Sequence, residues 1–160
     1  MMRKGQAAME FLMTYGWAIL VVLAAIGALA ATGVLDMGNL APDKTTFPTP
    51  MLNTESAVVT YEGEDNITVQ VPLANNFGKT VNISEDGITG SGDCQETPTL
   101  TVSPDTKVPN NEEFILTWYC DNPSGLSSGD KFKADLGFQY ESSSSGMERP
   151  HSGSVIAKVQ

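Results

Sequence analysis

From Phe11 to Leu35 the chain runs 25 residues without one charged side chain. As a helix this run is about 37 Å long at 1.5 Å per residue. A bilayer core is about 30 Å thick, so the run is long enough to cross it. A secretory signal carries a shorter apolar region, roughly 7–15 residues. The run is therefore expected to be retained in the finished protein. Arg3 and Lys4 precede it, which orients this end towards the cytoplasm. Of the 19 acidic residues all but Glu10 follow Leu35, so the net charge of −10 belongs to the C-terminal part. An acidic surface argues against nucleic-acid binding, which needs Lys and Arg to neutralise phosphates. Its plain reading is solubility of an exported domain, with divalent-cation binding as the alternative.

Glu10 is the anomaly at the edge of this run. A carboxylate there costs free energy unless it has a partner or stays in the headgroup layer. No Lys or Arg lies one helical turn further along. Cleavage after Gly5 would give Gln6 a free amine with a pKa near 8, mostly cationic at neutral pH. Glu10 could then meet the new amine of a neighbouring helix; the alternative is a solvated carboxylate.

The segment Arg3-Lys4-Gly5-Gln6, then Glu10 and Phe11-Leu12-Met13-Thr14-Tyr15-Gly16-Trp17-Ala18-Ile19-Leu20, resembles the class III signal segment of archaeal type IV pilin precursors. It differs at Ala8, where that family favours Ser, and at Thr14, where it favours Leu. The resemblance implies that a prepilin-type aspartic peptidase in the membrane cuts between Gly5 and Gln6. It also implies a helix that remains as filament core and a β-sandwich head. The small residues Ala24, Gly27, Ala28 and Ala31 suit that role, because small-xxx-small spacing lets helix backbones approach closely. A lone membrane anchor with incidental alanines is the alternative.

Four regions follow: a leader over 1–5, a hydrophobic helix over 6–35, a connector over 36–56 and a head domain over 57–160. Pro42, Pro48 and Pro50 interrupt helix in the connector, although Phe47 and Met51 could tuck onto the domain behind it. Beyond residue 57 the pattern has a period of two. Ile67, Val69, Val71 and Leu73 form one apolar set; Phe114, Leu116 and Trp118 form another; Phe132, Ala134, Leu136, Phe138 and Tyr140 form the third. With shorter runs at 57–61, 81–83, 100–102 and 153–159, about seven strands are expected. Turns are expected at 62–65, 85–93 and 142–146. The fold class is α+β: a long helix followed by an immunoglobulin-like antiparallel β-sandwich.

Cys94 and Cys120 lie in the region placed outside the cell, where a disulfide is the economical reading and two reduced buried thiols the alternative. Cys120 follows Trp118 at strand parity, so its sulfur is expected to point inward. Asn66-Ile67-Thr68 and Asn82-Ile83-Ser84 are N-glycosylation sequons, whereas Asn122-Pro123-Ser124 is excluded by its proline. His151 is the only histidine, expected on a strand surface, so neither a His cluster nor a Ser–His–Asp triad is available. Glu62, Glu64, Asp65, Glu85, Asp86, Glu112 and Glu113 read as solvated loop charge, without the spacing of a calcium loop. Gly90-Ser91-Gly92-Asp93 reads as a flexible turn. No enzyme activity and no cofactor are expected.

The expected function is a pilin that polymerises through its helix into a filament for adhesion or cell contact. Its partners would be copies of itself, the peptidase, the membrane before assembly and a surface ligand. The alternative is a membrane-anchored or secreted β-sandwich binding module that does not polymerise.

Overall fold

The computed structural model of the chain describes residues 3–32, 42–63, 66–95, 97–121 and 124–160, with the side chains of residues 3–8 and 12 left out of the description. The chain divides into two compact units, Met1–Ala41 and Pro42–Gln160.

The first unit holds one helix, α1 (Arg3–Ala31). It starts ahead of Gln6, so the expected leader and mature segments share one helix and the Gly5–Gln6 peptide bond lies inside it. No proline precedes Pro42, and the run is rich in Ala, Leu and Met, which favour helix. Thr14 Oγ1 donates to the Glu10 carbonyl at 2.8 Å. At the C-terminal end, Thr32 donates its amide to the Ala28 carbonyl at 3.1 Å and its hydroxyl to the Leu29 carbonyl at 2.9 Å. The expected helix end at Leu35 and connector residues 36–41 lie outside the described residues.

The second unit contains, among its described residues, strands β1 (Lys44–Thr46), β2 (Met51–Asn53), β3 (Val58–Gly63), β4 (Asn66–Asn75), β5 (Val81–Gly92), β6 (Thr99–Ser103), β7 (Lys107–Val108), β8 (Glu113–Asp121), β9 (Lys131–Ser142) and β10 (Glu148–Lys158). Sheet I has the order β1-β10-β9-β5-β7; sheet II has β2-β4-β8-β6, with β3 also paired to β4. The pairings are antiparallel, and the two sheets form a sandwich-like arrangement. All three apolar alternations expected from the sequence are buried, from Ile67 through Leu73, from Phe114 through Trp118 and from Phe132 through Tyr140.

Three expectations need correction. The connector over 36–56 is, from Pro42 onward, part of the β-unit, because Phe47 and Met51 are fully buried there. Its irregular backbone is held by side chains: Asn53 Oδ1 accepts the Phe47 amide at 3.1 Å, and Thr45 Oγ1 accepts the Ala57 amide at 2.7 Å. The turn expected over 85–93 lies largely within β5, with a register shift between Ser84 and Thr89. A side chain at Gly90 would strike the Gln95 carbonyl, and Gly92 has φ +75°, so these glycines serve close approach and backbone conformation rather than looseness.

His151 is the third correction. It is buried, 7 % exposed, and its Nε2 lies 3.1 Å from the Met51 carbonyl oxygen, joining β10 of sheet I to β2 of sheet II. Phe138 packs against the ring edge to face at 5.4 Å, and Tyr140 does so at 6.3 Å. Burial lowers its pKa below the ordinary 6.5, against the opposing pull of the Met51 carbonyl. A carbonyl oxygen only accepts, so the ring donates Nε2–H to it.

As pH falls below about 6.5 the unfolded chain takes up a proton at His151 before the folded one does. The stability contributed by this depressed pKa is full above that value and declines as pH falls towards the folded pKa. Thermal melts should therefore show a falling midpoint between pH 7.5 and 5.5. His151→Gln, which can still donate to Met51, should flatten the decline; parallel curves for the two proteins would refute the assignment.

Candidate functional site

The feature of the first unit that needs a partner is the surface of α1. The window Met13–Ala31 is 19 residues long, and by length and composition it can cross a membrane. Its apolar side chains are unburied on every side: Met13 is 83 % exposed, Trp17 68 % and Leu20 68 %. A helix that is apolar all round is stable only in lipid or inside a bundle. Phe11 and Tyr15, one turn apart, bring their rings to 4.8 Å.

Ala24, Gly27, Ala28 and Ala31 are spaced three and four apart and fall on one side of this helix. A methyl group built at Gly27 would meet nothing within 4 Å. Glycine in a helix interior costs roughly 1 kcal/mol relative to alanine. Nothing within the described residues requires that glycine. Glu10 is exposed, and no described side chain pairs with its carboxylate. Gly5 and Gln6 lie in the helical backbone of α1.

In the second unit Cys94 and Cys120 are bridged, with Cα atoms 5.0 Å apart and both residues buried. The bridge ties the segment after β5 to β8 and so connects the two sheets. Asp93 beside it accepts the Ser124 hydroxyl at 2.7 Å and the Lys133 amide at 2.8 Å. Gln95 Oε1 accepts the Asp121 amide at 2.5 Å. Asn66 and Asn82, the two sequon asparagines, are exposed on β4 and β5. Glu62, Glu85, Asp86, Glu112 and Glu113 are exposed too, while Glu64 and Asp65 lie outside the described residues. Among the described residues no three His, Cys, Asp or Glu side chains gather closely enough to hold a metal ion.

Sequence reasoning missed Asn75, which is fully buried. Its Nδ2 donates towards the carbonyls of Lys79, Val108 and Pro109 at 2.9, 3.0 and 3.1 Å, and its Oδ1 accepts the Phe77 amide at 3.0 Å. One amide thus organises the loops at that end of the sandwich. Its signal was its place, at the inward parity that continues Val71 and Leu73. Counting back by twos from Val159, Ala157 and Val155 would likewise have placed His151 inside.

No family model matches the chain, and no curated protein matches it significantly. Among solved structures it is similar to the GAE domain of GGA2p from Saccharomyces cerevisiae, at 10 % identity, over 70 % of this chain and 94 % of that one, with a TM-score of 0.39. That likeness is too slight to carry a function across.

The disulfide has a measurable consequence. It spans 26 positions, and closing such a loop is worth about 3–4 kcal/mol in the chain-entropy model. The Cys94→Ala/Cys120→Ala double variant should unfold at correspondingly lower urea concentration than the oxidised protein. Equal midpoints would show that the bridge contributes nothing.

Proposed function

We propose that this chain is a structural subunit of the archaeal type IV pilin kind, made as a precursor and polymerised through α1 into a cell-surface filament for adhesion or cell contact. The observation that carries the reading is the unburied apolar surface of α1 together with Gly27, which no contact among the described residues explains. A bundle of parallel copies supplies both the apolar surroundings and the close backbone approach. Before assembly the same surface rests in the membrane. The role is structural rather than enzymatic, and the partners are other copies, a prepilin-type peptidase and a target on the outside.

The head reads as immunoglobulin-like. The runs β3-β4-β8-β6 and β5-β9-β10 correspond to the ABED and CFG sheets of that architecture. The bridge differs, because Cys94–Cys120 joins the end of the C-like strand to the E-like strand instead of B to F.

Glu10 has its role in assembly. Cleavage between Gly5 and Gln6 leaves an amine and a carboxylate at the same end of an apolar helix. Moving helices from lipid into a bundle of similar polarity gains little hydrophobic free energy. A charge pair between neighbours at an effective dielectric near 20 contributes up to about 4 kcal/mol before desolvation is subtracted. A net term of about 1.4 kcal/mol per contact already changes an equilibrium tenfold.

Two measurements test the reading. The mature protein from the cell surface should begin at Gln6, in material that forms filaments under the electron microscope. A mature N-terminus near Ala31 would indicate an ordinary secretory signal, and a Gln6 start without filaments would leave a membrane-anchored binding module. Glu10→Gln should be cleaved and remain in the membrane while giving about tenfold fewer filaments, following that same net term. Undiminished yield from this variant would remove Glu10 from assembly.

A further inference from the structure

The outer faces of the two sheets differ in chemistry. The residues from Pro42 onward include 17 carboxylates and seven basic residues. Five of the seven, Lys44, Lys107, Lys131, Lys133 and Lys158, alternate with buried or inward-facing neighbours on strands of sheet I and so project from its outer face, where they outnumber the carboxylates of the same parity, Asp135, Glu141 and Glu148. Among the described residues, Lys131 alone of the five is in an ion pair, with Asp43.

The outer face of sheet II carries no basic residue. Its cross-strand rows are Thr60-Thr68-Tyr119-Thr99, then Val58-Gln70-Thr117-Thr101, then Pro72-Ile115-Ser103. Among the described residues of this face, charge returns only at the rim, with Glu62 and Asp121 at one end and Glu113 at the other. Six large apolar residues of the described β-unit are exposed. Four of them, Leu52, Val58, Ile115 and Tyr119, belong to this face.

We infer that in the assembled state the outer face of sheet II in one copy seats on the outer face of sheet I in the next copy; this rests on the assembly reading above. Size points to a copy already held in place. Four strands about 4.8 Å apart and five residues deep give a patch of roughly 250 Å². A stable free complex buries about 800 Å² per partner, so this face alone does not hold one. Copies gathered by their helices meet at high effective concentration, and there a small patch suffices.

Charge selects the opposite face. Pairing sheet II with its own kind would bring the acidic rims together and would close at two copies instead of continuing. On sheet I the same rim meets a mixed face on which five lysines outnumber three carboxylates, Asp135, Glu141 and Glu148. A shallow groove of about 180 Å³, lined by Ser91, Lys133, Ala134, Asp135 and Ile156 among others, offers room for an apolar side chain.

The test uses the full chain with Gln70→Cys on sheet II and Ser152→Cys on sheet I, both exposed positions. Retention of the Cys94–Cys120 bridge is verified by mass spectrometry as evidence of folding. Oxidation, or a short bismaleimide, should convert most of the monomer band of assembled material into a ladder of dimers, trimers and longer species. Each single variant should stay monomeric. Filaments without a ladder, or dimers from Gln70→Cys alone, would overturn the face-to-face stack and leave the filament reading standing. A ladder in membranes from a chain that forms no filaments would sustain the stack and sink the filament reading. Neither ladder nor filaments would sink both.

Discussion

One short crossing closes the β-unit. After β1 has paired with β10 in sheet I, the chain passes through Phe47 to β2 on sheet II. Phe47 sits between the layers, its ring 6.1 Å from that of Trp118 on β8 and 6.1 Å from that of His151 on β10. The His151–Met51 hydrogen bond fastens the end of the same crossing. Burying Phe47 and Met51 stabilises by about 1.5–3 kcal/mol each. The approach is so close that Gly153 on β10 cannot carry a side chain, since one would fall on the Phe47 ring. The last residue adds another link between the sheets: Gln160 donates to the Val59 carbonyl at 2.9 Å and accepts the Tyr61 amide at 3.2 Å.

That packing carries a cost. The indole nitrogen of Trp118 is buried without a hydrogen-bond partner, a loss of about 1–3 kcal/mol. Its ring is fully buried and contacts Phe47 and Phe138, the latter at 6.3 Å. The aromatic burial offsets the orphaned donor, and a polar partner for it would have to displace part of the core. The opposite solution operates at Asn75, where four partners satisfy one buried amide. The sandwich therefore has an apolar centre and a polar clasp at one end.

How much of this was legible depended on repetition. Ile67–Leu73, Phe114–Trp118 and Phe132–Tyr140 each repeat their alternation three or more times, so their inward faces could be read directly. β1, β2 and β7 have three residues or fewer, too few for a period, and the prolines around β1 and β2 pointed instead to a connector. Their pairing comes from contacts far along the chain, such as Thr45 with Val155. The glycines of β5 misled because the requirement they meet, the approach of Gln95 and Lys133, belongs to tertiary structure. His151 was misjudged by residue type when its parity was available. For α1, the apolar run and its small residues were legible, whereas the start at Arg3 was not, because the expected cleavage point suggested a boundary that the backbone does not have.

The two units make opposite demands of their surroundings. The β-unit has buried its apolar alternations and spread its carboxylates over an exposed surface, so water suits it. Met13–Ala31 of α1 has buried nothing and has no charged face to offer water. Lipid satisfies the apolar side chains but gives no reason for Gly27, since lipid tails pack as well against alanine. Alanine would also be the better helix former by roughly 1 kcal/mol. Close approach of another backbone does give a reason, because there the missing methyl group sets the distance. On the assembly proposed above, the cost of that glycine is borne by each chain separately and its return comes between chains. Membrane residence accounts for the length of α1, and the proposed assembly would account for Gly27 as well.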